Sequence, residues 1–314
     1  MIFLNLFLFL VFLAILLKCA NYAIKYSSTL AKIFFLPEFL ISFFLIAFIS
    51  ILPETTISIV SATQGNPELG LGTLLGSNVT DLTLVLGIAI LFAVKKIKVN
   101  SKILKNNFFY ILLLLFPLLL GLDGKFSRID GLILVLVGIL FLAKVYADNS
   151  KIYKINRYSK KKPFIKPLLL LILSLGIILV SAFYTVKFAV NFANDVKLPV
   201  VLIGITIIAI GTCLPELIFS LKAIRKQHGE LALGDIMGTV VIDSTIILGI
   251  IALISPFSYN LNNIYITGTA LVLSGILVTR FMKTDRELTK LEGLLLIIFY
   301  ILFIIIEFFV NAAS

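Results

Sequence analysis

The sequence predicts an all-α membrane protein: ten transmembrane helices as two inverted five-helix repeats, with helices 2 and 7 broken. Three observations predict this. Of the 314 residues, 60% are hydrophobic and the mean hydropathy is +1.14, far above an ordinary soluble domain. Apolar runs long enough to cross a bilayer recur along the whole chain. One stretch also occurs twice, 162 residues apart, and brings acids, prolines and glycines into otherwise apolar sequence.

In chain order the spans read 2–24, 36–64 (interrupted near Pro53), 68–93, 104–121, 129–147, 167–194, 199–226 (interrupted near Pro215), 230–254, 262–281 and 291–311. The opening MIFLNLFLFLVFLAILL has neither a basic leader nor a small-residue cleavage motif, so it reads as a retained first span. Residues 1–150 form the first half, with its repeat at 36–93. A basic linker, 151–166, leads to the second half, 167–314, with its repeat at 198–254. Cys19 and Cys213 are far apart in apolar surroundings and predict free thiols.

A net charge of +11 would suggest nucleic acid in a soluble chain. Here it follows the positive-inside rule. The ten spans place 23 of the 27 Lys and Arg on one side, leaving Lys125, Arg128, Lys187 and Lys197 on the other. This puts a multi-pass protein in the cell membrane, with both termini outside and the 151–166 linker in the cytoplasm. The linker serves orientation and lipid contact; the partners are the bilayer and inorganic cations, with no nucleic acid and no obligate protein partner. An offset of five spans inverts the second half relative to the first. Inverted repeats with interrupted helices in matching positions point to a secondary transporter with a site near the midplane.

The duplicated stretch runs from Leu52-Pro53-Glu54 to Gly87 and from Leu214-Pro215-Glu216 to Gly249. Of 36 aligned positions 14 are identical, including the prolines, the acids and the glycine pairs 72/234, 76/238 and 87/249. Each Pro breaks its helix and begins a half-helix. Glu54 or Glu216 then sits in the first turn, where the helix dipole favours a carboxylate. On the following helix Thr73, Ser77 and Asp81, and equally Asp235, Thr239 and Asp243, fall at i, i+4 and i+8 along one face. Pseudo-symmetry brings Glu54, Asp81, Glu216 and Asp243 together, ringed by the hydroxyls of Ser50, Ser77, Thr212 and Thr239. Oxygen donors of this kind suit hard cations such as Ca²⁺ or Na⁺. Cys213 is the nearby soft atom and reads as packing before ligation.

Gly211-Thr212-Cys213-Leu214-Pro215-Glu216 and Gly76-Ser77-Asn78 resemble the α-repeat motifs of the cation/Ca²⁺ exchanger superfamily, over nearly the whole chain. The resemblance implies alternating exchange of Ca²⁺ against Na⁺, with or without K⁺, or against H⁺. It implies ion ligands at Glu54, Ser77, Asp81, Thr212, Glu216, Thr239 and Asp243. It implies no enzyme activity and no cofactor beyond the transported ions. The chain departs from the motif at Ile49-Ser50-Ile51, at Cys213 and at Thr239-Val240, and it has Asp at both 81 and 243. The extra carboxylate resembles K⁺-dependent members and equally suits protons, so a Ca²⁺/H⁺ antiporter, or one for another divalent cation, is the alternative.

Asp235 either lines the inner entrance or sits solvated near the interface. Glu68 and Glu230 open their helices, where an acid serves the dipole. Glu38 is interfacial, His228 is a solvated loop residue, and Glu307 inside the last span has no repeat partner. Two rival classes explain less. Leu233-Gly234-Asp235 resembles half of an intramembrane aspartyl protease motif, but the chain lacks the Tyr-Asp half on the preceding helix. A cation channel shares the acids but needs an open pore, which a closed midplane site does not provide.

Overall fold

The apolar runs fold as helices, which satisfy backbone N–H and C=O groups within one segment where no water is at hand. The structure is a computed structural model. It describes residues 1–33, 51–93, 97–98, 107–149, 164–225, 229–259, 261–283 and 287–313. Ser50, Glu38, His228 and linker residues 151–163 lie outside this set.

In order the helices are α1 (Ile2–Ile33), α2 (Leu52–Thr63), α3 (Pro67–Leu91), α4 (Asn107–Leu120), α5 (Arg128–Asn149), α6 (Ile165–Val196), α7 (200–212), α8 (Leu214–Arg225), α9 (229–254), α10 (Leu261–Lys283) and α11 (Lys290–Ala313). Among the described residues, seven helical stretches are long and apolar enough to cross a membrane: Ile2–Ala23, Pro67–Leu91, Ile165–Val196, Val200–Arg225, Ala232–Ile254, Tyr265–Lys283 and Lys290–Val310. The second expected span is described only from residue 51, the fourth is a shorter apolar helix, and the fifth, α5, has 22 residues but is not among the seven. The protein is an all-α, multi-pass membrane protein.

Local chemistry sets the helix ends. Pro67, whose missing N–H costs nothing at a helix start, opens α3 after the left-handed turn at Gly65 (φ 76°). Lys197 takes a left-handed cap (φ 58°) that closes α6. Reciprocal capping boxes start α5 and α11. The Ser127 N–H donates to Asp130 (2.8 Å) and the Asp130 N–H to the Ser127 hydroxyl (3.3 Å). The Thr289 N–H donates to Glu292 (2.7 Å) and the Glu292 N–H to the Thr289 hydroxyl (3.4 Å).

These boxes lie 162 residues apart, and the same interval recurs across the fold. α2 and α8 each have 12 residues, beginning at Leu52 and Leu214. α3 and α9 each widen into one π-turn, at Asp81–Val85 and Asp243–Ile247. Gly87 of α3 packs against Gly293 of α11, where a Cβ would come 2.7 Å from the Gly293 carbonyl oxygen. Gly249 of α9 packs against Gly131 of α5, where a Cβ would come 2.6 Å from the Gly131 carbonyl oxygen. Small residues here let helix backbones touch. Two short ladders tie the ends: β1 (Ile97–Lys98) pairs antiparallel with β4 (Glu287–Leu288), and β2 (Lys125–Phe126) with β3 (Phe257–Ser258).

Two separate apolar clusters hold the molecule. The larger gathers α3, α4, α9, α10 and α11. The smaller joins α1 to α6 through Phe9, Leu16, Ala182 and Val186, and both to Ile57 of α2, Leu69 of α3 and Ile203 and Ile208 of α7. α1 and α6 run antiparallel: Asn5 near the start of one donates to Asp195 near the end of the other (2.7 Å). Phe12 stacks on Tyr184 and Phe188 along the same seam, at centroid distances of 4.7 and 5.8 Å.

Candidate functional site

Pro215 has no N–H to give the carbonyl four residues upstream, so the helix is interrupted there. The interruption is one residue wide: Cys213, at φ −78° and ψ 0°, separates α7 from α8. Ile51 has nearly the same conformation, φ −76° and ψ 0°, ahead of Pro53. Helical bonding resumes identically after each, from the Thr55 N–H to the Ile51 carbonyl (2.9 Å) and from the Leu217 N–H to the Cys213 carbonyl (3.0 Å). Glu54 and Glu216 fall in the first turns of α2 and α8, and both are buried.

The π-turns begin at the second pair of acids. The Leu86 N–H bonds the Asp81 carbonyl and the Leu248 N–H bonds the Asp243 carbonyl, each spanning five residues. Thr83 and Thr245 donate their hydroxyls to the carbonyls of Val79 and Val241 four residues back. Such back-bonding competes with the helical ladder and accompanies its widening. π-turns of this kind mark functional positions in helices more often than elsewhere.

These elements bring both halves into one polar neighbourhood. Glu54 lies within electrostatic reach of Glu216, Asp243 and Asp81. Glu216 is within reach of Asp81, Asp235 and Asp243. All four carboxylates at 54, 81, 216 and 243 are buried, and seven of their eight oxygens accept no hydrogen bond. Ionised carboxylates left so in low dielectric are costly without compensating positive charge. Among the described residues no three His, Cys, Asp or Glu side chains stand close enough to hold one metal ion as arranged. The acids are thus neighbours through their field, and any ion they share needs neutral oxygens as well.

Such oxygens are present. Ser77 donates to the Leu74 carbonyl (3.0 Å) and Thr212 to the Ala209 carbonyl (3.2 Å), which leaves their hydroxyl lone pairs free to face a cation. The buried Thr239 hydroxyl has no partner. Ser50, the remaining candidate, lies outside the described residues. Cys213 is buried in the main cluster, and its thiol donates to the Ser77 carbonyl across the halves (3.5 Å), beside Asp81. Asp235 is buried rather than solvated, with neither oxygen hydrogen-bonded. Glu68 sits in the first turn of α3. Glu307 is buried between α10 and α11 and accepts a bond from Thr267 (3.1 Å).

Sequence reasoning passed over two polar groups. Asn78 is buried; its amide donates to Ser244 across the halves (3.0 Å), while its carbonyl oxygen is unpartnered. The signal was its place in Gly76-Ser77-Asn78. Ser220, one turn beyond Glu216 on the same face of α8, has a buried, unpartnered hydroxyl. Its identity with Ser58 in the other copy was the signal there.

Comparison with known proteins gives the same family from three directions. The family described as "Sodium/calcium exchanger protein" matches residues 4–147 and 166–309, two stretches whose starts and ends both differ by 162. The sodium/calcium exchanger MaX1 of Methanosarcina acetivorans is 26% identical over 355 residues, covering 99% of this chain and 100% of the relative. Inner membrane protein YrbG of Escherichia coli K12 is 30% identical over 243 residues, covering 73% of this chain and 74% of YrbG. Among solved structures, the sodium-calcium exchanger NCX_Mj soaked with 10 mM Na⁺ and no Ca²⁺ superposes with a TM-score of 0.69. The identity is 27%, over 96% of this chain and 98% of that one. The chain therefore belongs to the sodium/calcium exchanger family.

Proposed function

We propose that the chain is a secondary active antiporter exchanging Ca²⁺ for Na⁺, with or without K⁺, by alternating access at a midplane carboxylate site. The observation that carries this is the set of four buried carboxylates, two from each copy of the duplicated stretch, within one another's field and with seven of eight oxygens unbonded. Ca²⁺ takes six to eight oxygens. Here they would come from Glu54, Asp81, Glu216 and Asp243 and the hydroxyls of Ser50, Ser77, Thr212 and Thr239. Na⁺ competes for the same negative charge, so the two cargoes exclude each other. An empty site of that charge resists reorientation through lipid, which couples the fluxes.

The reading includes ten membrane crossings in two inverted halves, both termini outside and the basic linker in the cytoplasm. Features recurring at the 162-residue interval and the antiparallel α1–α6 pair support the inversion. We take α1 and α6 to move as a pair along their shared seam, sliding against Ile57, Leu69, Ile203 and Ile208 in the same cluster. Asp235 would line the path to the cytoplasmic side.

Proteoliposomes loaded with ⁴⁵Ca²⁺ and given, separately, a Na⁺, a K⁺ or a pH gradient test the proposal. Ca²⁺ movement driven by the Na⁺ gradient supports it; movement under none of the three refutes exchange. A second reading, Ca²⁺ or another divalent cation against H⁺, is favoured by Asp at both 81 and 243, and movement under the pH gradient alone would select it. Passive conductance in a bilayer recording would select a channel.

A further inference from the structure

The two halves differ at one buried level beside the central acids. In the first half the Ser58 hydroxyl donates to the Gly70 carbonyl (3.2 Å), and the Thr73 hydroxyl donates to the Leu69 carbonyl (2.8 Å). α2 and α3 touch there. A Cβ on Gly70 would lie 2.9 Å from the Ser58 carbonyl oxygen and 2.6 Å from the Ser61 hydroxyl. In the second half the counterparts of Gly70, Ser61 and Thr73 are Ala232, Ala223 and Asp235. Ala232 brings a buried methyl where Gly70 has none, and the Ser220 hydroxyl, counterpart of Ser58, finds no carbonyl.

α8 and α9 pack against each other and are joined through three residues. Each rises about 1.5 Å per residue from that connection. Ser220, five residues before Arg225, and Asp235, six after Gly229, therefore stand at one level. Glu216 stands one turn further from the connection and within electrostatic reach of Asp235. Ser220 is 0% exposed and Asp235 5%, and neither the hydroxyl nor either carboxylate oxygen has a hydrogen-bond partner.

We propose that Asp235, Ser220 and Glu216 form an additional binding position for a hard monovalent cation, Na⁺ above all, present in the second half alone. One carboxylate of its own, a share of a second and a hydroxyl suit a single charge; Ca²⁺ asks for six to eight oxygens. The position lies one turn towards the 226–228 connection from the central acids. It gives the exchanger a Na⁺ place beside the central set of acids, joined to it through Glu216. The function of that place in transport rests on the exchanger reading; its existence does not.

The test counts ²²Na⁺ bound at equilibrium to the purified full chain without Ca²⁺, in the unaltered protein and in Asp235→Thr, which restores the residue of the first half. The isosteric Asp235→Asn guards against misfolding. Both variants should bind about one Na⁺ fewer per chain while retaining ⁴⁵Ca²⁺ binding, and Ser220→Ala should weaken one Na⁺ about tenfold. The Hill coefficient for Na⁺-driven ⁴⁵Ca²⁺ release should fall with Asp235→Thr. Unchanged Na⁺ stoichiometry and affinity in both Asp235 variants overturn the proposal. So does loss of all bound Na⁺ and Ca²⁺ in both, which would place Asp235 in the central site. Absence of Na⁺-driven flux in the unaltered vesicles would instead refute the exchanger reading, with the ²²Na⁺ count still deciding this position.

Discussion

Glu54 and Glu216 occupy equivalent first turns, buried, with three of their four oxygens unbonded. Their identity was legible because Pro-Glu inside an apolar run has no bland use: the Pro costs helix and the acid costs desolvation. Removing one charge from a set that must balance a divalent ion costs about 3 kcal/mol, or about 100-fold in affinity. Glu54→Gln and Glu216→Gln are accordingly expected to abolish measurable ⁴⁵Ca²⁺ flux in proteoliposomes; near-normal flux in either would refute the site. Asp235 was harder to read. Its depth depends on how α8 and α9 pack, and the serine pair 58/220, identical in sequence, is bonded in one half and unpartnered in the other. Asn78 was visible in its motif, but that its carbonyl oxygen stays unpartnered while its amide reaches Ser244 follows from tertiary contact alone.

At the scale of elements, the duplication reaches beyond the stretch in which it is plain. Leu52–Gly87 and Leu214–Gly249 match by eye, whereas the capping boxes at Ser127–Asp130 and Thr289–Glu292 share the interval with only chemical likeness. The π-turns were not legible at all. A threonine two residues after the acid is compatible with an ordinary α-helix, and the widening shows only in the backbone bonds. The paired glycine crossings were half legible: Gly87 and Gly249 stood in the aligned copies, and their partners Gly293 and Gly131 did not. Valine at Gly131 or Gly249 would push two backbones apart, and overpacking of this kind costs about 1–3 kcal/mol. Both Gly131→Val and Gly249→Val should lower the melting temperature of the detergent-purified protein. Gly176→Val, at an exposed position with open space beside it, should not. Equal melting of all three would contradict the crossing.

At the scale of the whole molecule, α1 pairs with α6 along one seam, in a cluster that also takes in Ile57 of α2, Leu69 of α3 and Ile203 and Ile208 of α7. Hydropathy alone could locate both helices, but not their partnership, because each is apolar along most of its length. Where the pair meets the broken helix, a Cβ on Gly211 would lie 3.1 Å from the Leu13 side chain. Cysteines at 13 and 211, in a Cys19→Ser, Cys213→Ser background, would lie on either side of this contact and can be tested for a disulfide. Oxidation should halt ⁴⁵Ca²⁺ exchange and reduction restore it; exchange that survives the cross-link would show that the pair does not move. Orientation rests on the lysine and arginine bias. A cysteine at Arg157 should react with an impermeant maleimide only from the cytoplasmic side, and labelling from outside would invert the topology.

Ions sharing one set of charges should exclude one another, and equilibrium binding tests that most directly. Purified protein should bind ⁴⁵Ca²⁺, lose it cooperatively as Na⁺ is added, and bind almost none after Glu216→Gln. Undiminished ⁴⁵Ca²⁺ in saturating Na⁺, or in the Glu216→Gln variant, would contradict a shared carboxylate site.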